Sequence, residues 1–294
     1  MSYIVYLLFR VFLAFISILP FQLLYFVSDI MYGLIYYIFE YRKKVTLENL
    51  KNAFPEKTIF EINRIQKQYY HYMTDLILEG LRGLSMTNEQ ILERHKIINP
   101  ELPNSYFKQG KSLICVSGHY GNWEWLVFSG SLQIQHLVVG IYKGINNKYI
   151  EAFMKKRRSR TNCYLAPITE TYETFNTLTE PSLFLMFADQ SPTNLRDCYW
   201  VNFLNQDTAT LHGPEKYSKK LNFPVVYLNI QCVKRGYYEL TFSALADNPN
   251  DYKDGEITTM YMNHLEKIIK NEPTFWLWSH RRWKHKRIAA IEDL

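Results

Sequence analysis

At 294 residues with 47% apolar side chains the chain can bury one large core, and its formal net charge of +6 favours anionic partners: lipid head groups, an acidic carrier protein or nucleic acid. Aromatics reach 16%, with 23 Tyr and 6 Trp, an amphipathic excess that suits a membrane interface. The four cysteines (Cys115, Cys163, Cys198, Cys232) include no Cys-x2-Cys pair, and the chain has neither a Walker loop nor Gly-x-Gly-x-x-Gly. Zinc sites, a disulfide framework and a nucleotide cofactor therefore have no support, and a reducing compartment is the simplest account.

Val11 to Ser28 carry no charge, although Arg10 precedes the run, Pro20 interrupts it and Asp29 follows. A second apolar run, Ile30 to Phe39, ends in the cluster Tyr41-Arg42-Lys43-Lys44. No basic start or small-residue cleavage site marks a signal peptide. The segment can span the bilayer once, lie in one leaflet, or pack on the protein as an apolar helical pair. Membrane attachment is the preferred expectation, with the basic cluster on the cytoplasmic side. The expected division is a membrane-associated helical segment over 1–40 and one domain over 41–294.

A short helix from Thr46 is stopped by Pro55, and an amphipathic helix follows over Glu61 to Leu84. Further helix and loop are expected up to Ile97. From Ser112 the period changes. Strands are expected at 112–117, 136–142, 163–166 and 182–188, with helices at 123–132, 147–160 and 171–178 between them. Val225 to Val233 and Tyr237 to Leu245, joined by Lys234-Arg235-Gly236, read as a hairpin, and Gly255 to Lys270 as a helix. Alternation of this kind implies an α/β fold with a mostly parallel central sheet flanked by helices.

The chemistry gathers where the first of these strands ends, in Ser117-Gly-His-Tyr-Gly-Asn-Trp-Glu124. Two glycines bracket His119 and break the strand into a turn, and Asn122 can cap the helix that follows. With His119 in the loop and Glu124 in the first helical turn, the carboxylate can fold back to the imidazole, fix its tautomer and make it a general base for a hydroxyl. Asp189 ends another buried strand at the same sheet edge, where it could orient a catalytic partner, position substrate, or simply cap a turn. Arg160, last of Lys155-Lys-Arg-Arg-Ser-Arg160, can reach in to hold an oxyanion or phosphate, with Arg157 and Arg158 as neighbours and a solvated helix end as the alternative. Thr274 to Arg287 interleaves Trp with Arg and Lys, a pattern of membrane interfaces and of single-stranded nucleic-acid binders.

These blocks together resemble the late acyltransferases of lipid A biosynthesis, the lauroyl/myristoyl acyltransferase family of the lysophospholipid acyltransferase superfamily. Tyr41-Arg-Lys-Lys and Asn49-Leu-Lys-Asn-Ala-Phe-Pro-Glu56 look like the family's opening pattern, and Ser117 to Glu124 like its His-x4-Asp/Glu block. Asn146-Asn147 with Arg160-Thr-Asn162, Ala188-Asp-Gln190, Val201-Asn-Phe-Leu204 with Thr208 to Pro214, and Trp278-Ser-His-Arg-Arg-Trp-Lys284 resemble the later blocks in order. Ala188 stands where many relatives have Pro, Leu204 where Phe is usual, and Trp283 replaces a Phe.

The resemblance implies a glycerolipid acyltransferase-like fold and transfer of a fatty acyl group from an acyl carrier protein (or coenzyme A) thioester to a hydroxyl of a lipid A precursor at the bacterial inner membrane. It implies His119 and Glu124 as a general-base dyad, Arg160 as an oxyanion donor, and Asn122, Asp189, Gln190, His280, Arg281 and Arg282 as substrate-binding residues. Backbone N–H groups of Gly118 to Gly121 are further candidate donors. No metal or other cofactor is expected, because a thioester is already activated, and no nucleic acid. The competing expectations are acylation of another membrane lipid (a glycerophospholipid, aminolipid or glycolipid), or a non-catalytic membrane or RNA-binding protein.

Overall fold

A computed structural model describes residues 2–196 and 198–287. The end of the expected domain, 288–294, lies outside the described residues. Helix α1 (Ser2–Ile18) stops ahead of Pro20, and α2 (Phe21–Gly33) runs on into a π-helical turn, Leu34–Ile38. Then come α3 (Lys43–Ala53), the long α4 (Ile59–Gly83), α5 (Asn88–Arg94), β1 (His95–Ile97) and α6 (Glu101–Phe107). Thr58 and Glu61 close a reciprocal capping box on α4, satisfying N–H groups its first turn would leave unpaired. The α/β portion follows: β2 (Leu113–Ser117), α7 (Leu126–Gln133), β3 (Leu137–Tyr142), α8 (Lys148–Arg158), β4 (Tyr164–Pro167), α9 (Thr171–Thr177) and β5 (Ser182–Phe187). A small hairpin, β6 (Cys198–Phe203) and β7 (Gln206–Leu211), precedes α10 (Gly213–Leu221), the hairpin β8 (Val225–Lys234) with β9 (Tyr237–Ala246), and α11 (Glu256–Asn271).

The main sheet has seven strands in the order β1-β9-β8-β2-β5-β3-β4, all parallel to their neighbours except β8 against β9. The expected α/β class, with a mostly parallel sheet flanked by helices, is what the chain adopts. β2 is buried at every position, as a central parallel strand must be. The sequence reading did not foresee β1, α6, α10 or the hairpin β6–β7. That hairpin turns on Leu204 and Asn205, both left-handed (φ 51° and 61°), where no glycine announces a turn.

Phe21–Ile38 is long and apolar enough to cross a membrane, by length and composition. Yet α1 and α2 both lie along α4, and α1 also packs on α8. Arg10 sits 4.5 Å over the Phe153 ring, and Tyr3 meets Tyr149 edge to face. Asp29, the charge that interrupts the apolar run, is paired with Arg235 at 2.5 Å and with His71 at 2.9 Å. The outward faces of the pair remain bare, with Phe12, Phe15, Phe26, Ile30, Ile38 and Phe39 all exposed.

Candidate active site

The register of the parallel pair β2–β5 builds the site. Ser117 lies opposite Phe187, so the residues two beyond each strand end, His119 and Asp189, emerge side by side. Asp189 Oδ1 accepts from His119 Nδ1 at 2.6 Å and Oδ2 from the His119 backbone N–H at 2.8 Å. Trp276 Nε1 donates to the same Oδ2 at 2.9 Å. Burial alone would raise the Asp189 pKa, but the imidazole and the three donated bonds outweigh it and hold the carboxyl down at about 2. Asp189 is therefore an anion throughout the neutral range.

The other ring nitrogen, Nε2, lies 3.1 Å from the Gln190 amide. Trp123 and Phe187 flank the ring at centroid distances of 5.1 and 5.2 Å. The His119 side chain retains 16% of its exposure, so the ring is mostly but not fully enclosed.

The loop itself is held from all sides. His119 O accepts from Leu277 N, Gly121 N donates to Phe275 O at 3.1 Å, and Tyr72 Oη donates to Gly121 O at 2.5 Å. Gly121 has φ +63°, and a Cβ there would stand 2.5 Å from Ile230 O. Only glycine fits. The N–H groups of His119, Tyr120 and Gly121 are all engaged internally, so these three do not offer themselves to an oxyanion.

Several expected placements differ. Glu124 is bonded to Arg158 at 2.7 Å, not to His119; it sits in the 3-10 turn Trp123–Trp125 against Gly80 of α4, while Asp189 arrives from the adjoining strand and takes the ring. Arg160 turns away. It donates to Gly83 O and Asn88 Oδ1 and lies 4.9 Å over Phe128. Asn122 is fully buried and structural: Oδ1 accepts from Trp125 N at 3.1 Å, Nδ2 donates to Glu79 at 2.7 Å, and its carbonyl meets His95 Nε2. Of the three arginines at the C-terminal end of α8 and just beyond it, Arg158 is thus the one bonded to Glu124.

The C-terminal block divides likewise. Arg282 is buried and spans to Ala209 O and Thr210 Oγ1 on β7, and burial lowers its pKa to about 10. Trp276 and Trp278 are core residues stacked edge to face at 4.7 Å, not interface anchors. Arg281 is exposed and lines a groove of about 680 Å³ with Asn49, Asn52, Trp283 and Arg287. His280 lies within the field of Asp189 and His119; burial lowers its pKa to about 4, so it is neutral, and its Nδ1 is buried without a hydrogen-bond partner. Ser191 Oγ is in the same condition. Sequence reasoning missed Trp276 as a site residue, since an indole in a Trp-rich block gives no sign of which carboxylate it supports.

Among the described residues, Asp29, His71 and Asp75 cluster closely enough to ligate a metal, but Arg235 occupies the space between the carboxylates, 2.5 and 2.7 Å from them. A cation is already supplied by the chain.

A family model described as bacterial lipid A biosynthesis acyltransferase matches residues 1–285. No curated protein gives a significant sequence match. The family match covers nearly the whole chain, and the chain belongs to that family.

Proposed function

We propose that this member of the bacterial lipid A biosynthesis acyltransferase family moves a fatty acyl group from an acyl carrier protein thioester to a hydroxyl of a lipid A precursor, with His119 as general base and Asp189 as the carboxylate that orients it. The observation that carries the reading is the double bond-making of one buried carboxylate to the His119 ring and backbone, which puts the proton on Nδ1 and the lone pair on Nε2.

The acceptor hydroxyl takes the place of the Gln190 amide at Nε2 and gives up its proton there. Its oxygen attacks the thioester carbonyl, forming the C–O bond. The tetrahedral oxyanion takes a hydrogen bond from the displaced Gln190 amide. Collapse breaks the C–S bond, and the leaving thiolate recovers the proton from the imidazolium. A coenzyme A thioester would follow the same steps. Arg158, paired with Glu124, replaces Arg160 as the cation on this side of the site.

The bare apolar faces of α1 and α2 fit a bilayer. Because both helices also lie on the domain, we place the pair in the cytoplasmic leaflet of the inner membrane rather than across it. The lipid substrate then meets His119 from the membrane side without leaving its own phase.

The mass of lipid A from cells lacking the protein tests the reading. A lipid A short of one secondary acyl chain is expected, restored by the wild-type protein and not by His119→Ala. Unchanged lipid A mass would contradict it, and a changed phospholipid or glycolipid would name another acceptor.

A further inference from the structure

Glu79 is a buried carboxylate that the proposed reaction does not use. It lies on α4 with no exposure at all, and among the described residues no cation is bonded to it. Three neutral donors from three different elements converge on it. Tyr25 of α2 donates to Oε1 at 2.8 Å; Asn122 of the His119 loop and Tyr238 of β9 donate to Oε2 at 2.7 and 2.8 Å. Its backbone carbonyl accepts from Trp125 Nε1 at 2.7 Å, just past the same loop.

The surroundings are shaped to let Tyr25 arrive. The hydroxyl passes over Gly236 so closely that a Cβ there would stand 1.8 Å from it. Arg235, next in the hairpin, holds both Asp29 on α2 and Asp75 on α4, one turn before Glu79. The seat of α2 and the loop that carries His119 therefore meet at one carboxyl group.

We propose that Glu79 is a positioning residue for the acyl transfer: through Asn122 it fixes the His119 loop, and through Tyr25 it makes that loop depend on the seating of α2 against the domain. The proposal rests on the reading of His119 as the base. Burial pushes the Glu79 carboxyl up to about 7, against the three donated bonds. Asp75 adds to the rise, and the hydroxyls of Tyr25, Tyr72 and Tyr238 and the thiol of Cys232 are the titratable groups that face it. Since Oε2 already receives two donors, a proton settles on Oε1 and points to Tyr25. A glutamine at this position can copy that state: its amide nitrogen replaces Oε1 and donates to Tyr25, and its oxygen serves Asn122 and Tyr238.

The test is steady-state kinetics of the purified full-length enzyme in phospholipid–detergent micelles, with an acyl carrier protein thioester and a lipid A precursor. Glu79→Leu is expected to lower kcat about ten- to a hundredfold with KM for the acceptor within about threefold, because the loop is misplaced rather than the substrate unbound. Glu79→Gln should rescue kcat to within about threefold of wild type, and Tyr25→Phe should lower it about three- to tenfold. Should Glu79→Leu fail to fold, the Tyr25→Phe and Glu79→Gln results decide. The proposal is overturned if folded Glu79→Leu turns over like wild type, if Gln and Leu lose equally, if the loss lies in KM alone, or if Tyr25→Phe is unchanged. His119→Ala in the same assay separates the two levels. An active His119→Ala sinks the reading of the site, whereas an inactive one beside unaffected Glu79 and Tyr25 variants sinks only this inference.

Discussion

The choice of partner for His119 turns on where two carboxylates start from. Glu124 follows the histidine in sequence, but it leaves the loop on the α4 side and meets Arg158. Asp189 is distant in sequence yet adjacent in the sheet, and parallel register alone brings it to the ring. Asp189→Asn should cost about 10³-fold or more in kcat, since an amide cannot hold the Nδ1–H tautomer; single-turnover measurement of acyl transfer checks this. The ionised Asp189 also stabilises the fold. Its pKa falls from an ordinary 3.8 to about 2, so its contribution of about 2 kcal/mol is fully present above pH 3.8 and is lost as pH falls through 2. Acid unfolding of Asp189→Asn should lack that limb. For the arginines, a double-mutant cycle should show coupling of Glu124 with Arg158 on the order of 0.5–1 kcal/mol and none with Arg160.

At the scale of elements, the strand–loop–helix stretch around His119 is readable in the sequence because glycines and an Asn cap punctuate an apolar run. The sheet edge shared with Asp189 is readable too, but the sequence offers no way to weigh its carboxylate against that of Glu124, since strand register is set by tertiary pairing. The hairpin β6–β7 is hidden because its turn uses Leu204 and Asn205 in place of glycine. The Trp-rich C-terminal block looks like an interface until its indoles prove to be packed beneath the site, where Trp276 supports Asp189. The two loop glycines should differ in their tolerance. Gly121→Ala meets a backbone carbonyl at positive φ and should cost at least about 2 kcal/mol in denaturant unfolding. Gly118→Ala meets first the end of the Leu265 side chain and no positive φ, and should cost less.

For the whole molecule, the apolar segment became legible only once Asp29 within it was seen paired. Asp29 facing Arg235 fixes the side of α2 that belongs to the protein, and the opposite side, with Phe26 and Ile30, is exposed. Replacing Phe15 and Phe26 by Glu on that side should shift the protein from the membrane to the soluble fraction on flotation, with the catalytic domain still folded. Glu79 contributes in the opposite sense to Asp189. Its pKa is raised from 4.5 to about 7, so its contribution of about 3 kcal/mol is present below pH 4.5 and is lost as pH rises through 7, and Glu79→Gln should flatten that slope in thermal unfolding.

The most direct measurement is the turnover of purified His119→Ala on an acyl carrier protein thioester and a lipid A precursor, with its melting temperature taken in parallel. We expect turnover to fall by at least about 10²-fold while the protein melts within a few degrees of wild type. Near-normal turnover by the folded variant would contradict the account.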